Sequence, residues 1–248
     1  MIKINSMKRI LKNPIVRLIA VIGILLLFRF LAKELADLIN HSVQQNISTG
    51  FDYKSEMYKF LMVVFTFIIM IILPGYSLAD FGFRRPEKVN YFKIIWLTFF
   101  IVIGGMLLFA FLYMGLLQAI FGNGTESSVG LDNNNQTILS VVLGIWIWSS
   151  LTEEFYMRGF FQSLLNNLKK YKFIKLSVAV WASGITFGLI HFSIYNGDNL
   201  FFTLFIVTQA AIMGTLAAYY REKTKSIYPA IMVHVLANIY GSIPLLFQ

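Results

Sequence analysis

Three stretches of the 248-residue chain carry side chains able to hydrolyse a bond, and each is otherwise suited to lipid. The first is Glu153-Glu154-Phe155-Tyr156-Met157-Arg158. The second is Phe187-Gly188-Leu189-Ile190-His191. The third is His234-Val235-Leu236-Ala237-Asn238. Ionisable groups are costly in hydrocarbon, so each is functional by default. Arg158 lies i+4 from Glu154, one turn on and on the same face, ready for a charge-assisted pair. Glu153 points roughly 100° away and has no sequence-local partner. Phe187 and His191 share a helix face, as do His234 and Asn238.

Each stretch also has a bland reading. The acids and Arg158 could be an interfacial salt-bridge network. His191 could be a hydrogen-bonded packing residue, and His234 with Asn238 interhelical glue. Together they argue otherwise. The chain has three histidines, and two fall in apolar segments. His41 lies in a polar stretch and takes no role. Two Glu, two His, an Arg and an Asn on three helices are tolerable in lipid only around one shared polar cavity.

Such a cavity suits water chemistry. A carboxylate removes a proton from water while an imidazole orients it. A second His, with Asn one turn on, can donate to an oxyanion. A serine mechanism is disfavoured, because Ser149, Ser150 and Thr152 have no base placed by sequence. Glu153, His191 and His234 could instead be the three protein ligands of a catalytic zinc or other divalent metal with one open position. The helix motifs that put two His ligands on one turn are absent. Metal dependence therefore stays open at this stage.

The elements that must position these groups are membrane helices. Hydrophobic residues make up 57% of the chain and charged residues only 13%, against about 25% charged in a soluble domain. The mean hydropathy is +0.68. These values exclude a soluble globular protein, a disordered chain and a nucleic-acid-binding module. The absence of cysteine excludes disulfide scaffolds, thiolate zinc sites and a Cys nucleophile. Segments near 15–38, 57–79, 94–121, 138–160, 174–195, 199–220 and 226–247 are about as long and apolar as a span requires. The expected fold is all-α: a polytopic transmembrane bundle of about seven spans, eight being possible, with the cavity inside the membrane.

The net charge of +9 is clustered. Basic groups sit in 3–12, 84–93, 158–175 and 221–225, each beside an apolar run. Basic flanks stay cytoplasmic, so the N-terminus is expected inside and the protein in the cell membrane as a multi-pass chain. Residues 161–172 read as an amphipathic extension on the inner surface. On these boundaries His191 falls near the outer side and His234 about two turns from the inner side. A shared pocket then requires a broken, tilted or shifted helix, or different helix ends.

The order and spacing of the three motifs resemble the CPBP family, also called Abi. This group comprises type II CAAX prenyl endopeptidases and bacteriocin-processing or immunity membrane proteins. The resemblance covers about 138–242. It implies a catalytic core at 138–248 preceded by variable N-terminal helices at 1–137. It implies Glu153 as general base, His191 assisting, and His234 and Asn238 at the oxyanion, with Glu154, Arg158 and Phe187 in support. The implied activity is an intramembrane endopeptidase, glutamate-dependent or metallo-. Its partners would be a small peptide or membrane-associated protein as substrate, and the bilayer. A bacterial role in peptide maturation, signalling or self-immunity is expected, and the richness in Lys, Ile and Asn fits such a source. The rival is a non-catalytic membrane scaffold that uses the polar core for partner binding. A proton-relay transporter is a further rival, but it lacks the expected repeated halves.

Overall fold

The structure, a computed structural model, describes residues 13–44, 53–73, 75–112, 141–195, 197 and 200–243. Helices dominate them. They are α1 (Pro14–Gln44), α2 (Tyr53–Ile72), α3 (Tyr91–Ala110), α5 (Val178–Ile190), α6 (Leu200–Thr224) and α7 (Tyr228–Gly241). Between α3 and α5 runs α4, a continuous helix made of Val141–Ser149, Ser150–Glu154, Phe155–Phe161 and Gln162–Leu164. Its first and third parts are wound as π-helix. A two-stranded antiparallel hairpin, β1 (Lys172–Phe173) and β2 (Leu176–Ser177), precedes α5.

Local chemistry sets several helix starts. Pro14 opens α1, where its missing N–H costs nothing, and Asn13 Oδ1 accepts from the Ile15 amide at 2.9 Å. Asn90 caps α3 by accepting from the Lys93 amide at 2.9 Å. Ser177 caps α5 through the Val180 amide and donates to Glu222 Oε2 on α6 at 2.6 Å. Pro229 sits in the first turn of α7.

This is a membrane protein. Three helices are each long and apolar enough to cross a bilayer: Pro14–His41 within α1, α3 and α6. Large apolar side chains such as Ile19, Phe92, Phe100 and Leu107 face outward, as a lipid solvent permits.

One expectation is corrected here. The expected span 174–195 is not one crossing helix. Its start belongs to the hairpin, α5 holds 13 residues, and His191–Ile194 is a 3-10 turn. At 1.5 Å per residue α5 rises only about 20 Å, short of a hydrocarbon core of about 30 Å. With the 3-10 turn the apolar helix runs over Val178–Ile194, and His191 stands where its winding changes. The strip 161–172 packs its apolar side onto the protein, with Phe161, Leu164, Leu165 and Leu168 buried and Asn167, Lys170, Tyr171 and Lys172 exposed. Residues 113–140 lie outside the described residues; they hold the stretch 122–137 expected to link the third and fourth spans, the end of the third and the start of the fourth.

Two apolar cores flank the middle of α4. One joins α1 and α2 to α4 and α5 through Leu25, Met62, Phe160, Phe161 and Phe187. The other joins α3, α6 and α7 through Ile94, Met213, Ala217 and Val233. Helices α5 and α6 approach closely because glycine lines the seam. A Cβ on Gly184 would lie 2.0 Å from Thr215 Oγ1, and one on Gly188 would lie 2.6 Å from the Val207 carbonyl oxygen. In the turn from α6 to α7, Ser226 and Ile227 are buried while Lys225 and Tyr228 are exposed. The Ile227 amide donates to the Gly82 carbonyl at 3.1 Å, so α7 begins inside the fold and His234 lies deeper than a span counted from the surface suggests.

Candidate active site

The paired acids sit on the short α-helical turn Ser150–Glu154, between the two π segments of α4. A change of winding inside a helix often marks a functional position. It accompanies a division of the two carboxylates between different surroundings.

Glu154 is fully buried. Its Oε1 accepts from Arg158 Nη1 at 2.9 Å and from His234 Nδ1 at 2.9 Å. Arg158 is buried too, and its Nη2 donates to the Gly214 carbonyl at 2.8 Å. Its guanidinium lies 4.4 Å from the Phe187 ring centre. Gly214 makes this arrangement possible: a Cβ there would stand 2.8 Å from Arg158 Nη2 and 2.9 Å from Phe187 Cδ1. Phe187 in turn meets both imidazoles edge-on, with ring centres 4.7 Å from His191 and 5.4 Å from His234. Glu154, Arg158 and Phe187 thus form one packed support joining α4, α5, α6 and α7.

Glu153 differs. Its side chain is 24% exposed and that of His191 27%, whereas Glu154 and Arg158 are fully buried. Glu153 Oε2 is a buried oxygen with no hydrogen-bond partner. It stands 3.9 Å from His191 Nε2 and 3.9 Å from His234 Nε2. That is too long for a direct hydrogen bond.

The tautomers follow from the partners. His191 Nδ1 lies 2.8 Å from the Phe187 carbonyl oxygen, which can only accept, so Nδ1 carries the proton. His234 Nδ1 faces the Glu154 carboxylate, which also accepts. His191 therefore turns the Nε2 lone pair of its neutral ring toward Glu153, whereas His234, its Nδ1–H held by a carboxylate, can carry a second proton on Nε2. The donor chemistry suits a metal. Two ligands about 2.1 Å from a tetrahedral zinc lie roughly 3.4 Å apart and two groups sharing one water about 4.5 Å apart, and the 3.9 Å separations here fall between them. Among the described residues no three His, Asp or Glu side chains are grouped to hold an ion.

Asn238 stands on the α7 face that carries His234, but its amide is engaged elsewhere. Nδ2 donates to the Ile145 carbonyl and to Ser150 Oγ, each at 3.0 Å. The backbone carbonyl of Asn238 accepts from Ser242 Oγ, which in turn accepts from Trp146 Nε1. Among the described residues no imidazole contacts Ser150, in keeping with a water nucleophile.

Two cavities meet at these groups. One, of about 250 Å³, is walled mainly by apolar side chains of α3 and α6, including Val102, Met106, Phe205 and Met213, and reaches Glu154, His191 and His234. The other, of about 300 Å³, contains Glu153, Thr152 and Tyr156 together with Arg29, Tyr58 and Lys59. His191 borders both. The sequence reading missed Arg29 and Tyr58. A signal was present, since Arg29 is a charged residue amid the apolar run of the first span.

Residues 135–240 match the family model described as Type II CAAX prenyl endopeptidase Rce1-like. The match covers a little under half of the chain and contains all three motifs. It bears out the resemblance to CPBP-type intramembrane proteases and supports a protease of the CAAX endopeptidase kind. No curated protein and no solved structure matches.

Proposed function

With a CAAX-endopeptidase-like membrane protease segment at 135–240 as premise, we propose that the protein is an intramembrane endopeptidase acting through a water activated by Glu153 and His191. One observation carries the reading: an unpartnered carboxylate oxygen of Glu153 stands at the same 3.9 Å from Nε2 of His191 and from Nε2 of His234.

A water held there gives one proton to Glu153 Oε2 while its second O–H donates to His191 Nε2. Its oxygen attacks the scissile carbonyl carbon, and the carbonyl electrons move onto oxygen. His234 as imidazolium satisfies two demands together: Nδ1–H donates to Glu154, and Nε2–H donates to the oxyanion. Its carboxylate partner suits it to that charged role, whereas the Nδ1 partner of His191 is a neutral carbonyl. On collapse the C–N bond breaks and the leaving amine takes the proton from Glu153. Asn238, with both N–H groups engaged on α4, serves the oxyanion side by fixing α7.

The substrate in this reading is a small peptide or a membrane-associated protein whose apolar part occupies the cavity between α3 and α6. The variable helices 1–137 enclose the core 138–248, the N-terminus is cytoplasmic, and the setting is the bacterial cell membrane. The test is purified protein in proteoliposomes with candidate peptides, products read by mass spectrometry. Cleavage by wild type and not by Glu153→Gln supports it. A full cellular phenotype retained by Glu153→Gln would instead favour the scaffold.

A further inference from the structure

The hairpin between α4 and α5 carries apolar side chains that the protein leaves uncovered. Phe173 is 63% exposed and Ile174 69%. Lys170, Lys172 and Lys175 are exposed beside them, and residues 166–177 contain no Asp or Glu. The pairing of Phe173 with Leu176 leaves Ile174-Lys175 as a two-residue turn. Both residues have positive φ, 47° and 65°. Such turns take Asn-Gly by preference, and a β-branched residue in that region is strained. Strain of this kind persists where a position has a task.

The hairpin stands at the end of a spanning helix. Ser177 Oγ donates to Glu222 Oε2 at 2.6 Å, in the last turn of α6, which is long and apolar enough to cross a bilayer. This contact engages the acid at the base of the hairpin. It also joins the basic clusters 158–175 and 221–225 in space, at the side that their charge assigns to the cytoplasm. Aromatic side chains mark the same level. Trp181 Nε1 donates to the Phe173 carbonyl at 2.9 Å, and Lys170 Nζ lies 5.0 Å from the Tyr171 ring centre. Trp and Tyr collect where hydrocarbon meets headgroups.

We propose that the hairpin is a docking surface for anionic phospholipid of the cytoplasmic leaflet. Phe173 and Ile174 enter the acyl boundary, and Lys170, Lys172 and Lys175 meet lipid phosphates. An acidic soluble peptide would match the lysines but not the apolar tip. An uncharged bilayer would match the tip but not the lysines. Anionic lipid matches both. Ser177 ends the hairpin and caps α5, so the anchored turn is tied directly to the helix that leads to His191.

The chain has no cysteine, so Ile174→Cys gives one site for an NBD fluorophore on full-length protein. The labelled protein is placed in nanodiscs of phosphatidylcholine with a rising share of phosphatidylglycerol. As that share rises, the label is expected to shift to the blue, to be quenched by brominated acyl chains and to become shielded from acrylamide. Each lysine near an anionic surface is worth about fivefold in binding. Changing Lys170, Lys172 and Lys175 together to Gln should therefore weaken the response by about a hundredfold and remove it within the series. Molar salt should weaken it in the unsubstituted background by screening. A label open to acrylamide at every lipid composition overturns the proposal. So does equal shielding in pure phosphatidylcholine or in the lysine variant, since the lysines would then read no charge. Shielding that requires an added peptide also overturns it and assigns the hairpin to substrate. No arm requires cleavage, so failure of the peptidase reading leaves the result intact.

Discussion

The Nε2 atoms of His191 and His234 stand at the same 3.9 Å from one oxygen of Glu153. One histidine ends a short helix and the other lies in the second turn of α7. Their Nδ1 atoms are held by different partners, a backbone carbonyl and the Glu154 carboxylate. The two rings therefore face the same oxygen prepared for different work.

Glu153→Gln keeps the size of the side chain and removes its basicity. Peptide cleavage should drop by about 10²–10⁴-fold, the usual contribution of a general base. The amount of folded protein in the membrane should not change, because Glu153 Oε2 makes no hydrogen bond that glutamine would break. Cleavage assays beside thermal unfolding in detergent check both halves.

His234→Ala should lower kcat by about 10²–10³-fold, as removal of an oxyanion donor does, with little change in KM. A KM rise at constant kcat would place His234 in substrate binding instead.

Arg158→Met leaves Glu154 buried beside an unpaired lone pair and should destabilise the fold by about 3–5 kcal/mol. Combining it with Glu154→Gln removes the stranded charge and should recover part of that loss. A double-mutant cycle on unfolding free energies measures the coupling. Strict additivity would contradict the packed support described above.

Gly214→Ala pushes a methyl group between Arg158 and Phe187. Overpacking of this kind costs about 1–3 kcal/mol. Because Phe187 touches both histidines, activity should fall further than stability alone explains, which kcat measured well below the melting transition will reveal.

The proposed activation of water by Glu153 and His191 needs no metal ion. Cleavage should survive exhaustive chelation, and elemental analysis of active protein should find less than one bound metal per chain. Loss of activity on chelation, restored by one divalent ion, would require the three side chains to draw together.

Much of this was legible in the chain itself. Composition and apolar run length determined that it is a helical membrane protein, because lipid leaves no other partner for the backbone. Charge in the wrong solvent marked Glu153, Glu154, Arg158, His191 and His234. The i,i+4 spacing determined the Glu154–Arg158 pair, since helix geometry alone brings those atoms together. Helix depth was not legible: α5 stops short because a hairpin takes up its beginning, and α7 starts inside the fold because the Ile227 amide is drawn to Gly82. Only those tertiary choices bring His191 and His234 to one oxygen. The engagement of Asn238 on α4 and the arrival of Arg29 beside Tyr156 were likewise decided by packing. Contacts between residues distant in the chain depend on how whole helices settle against one another, and no local spacing encodes that.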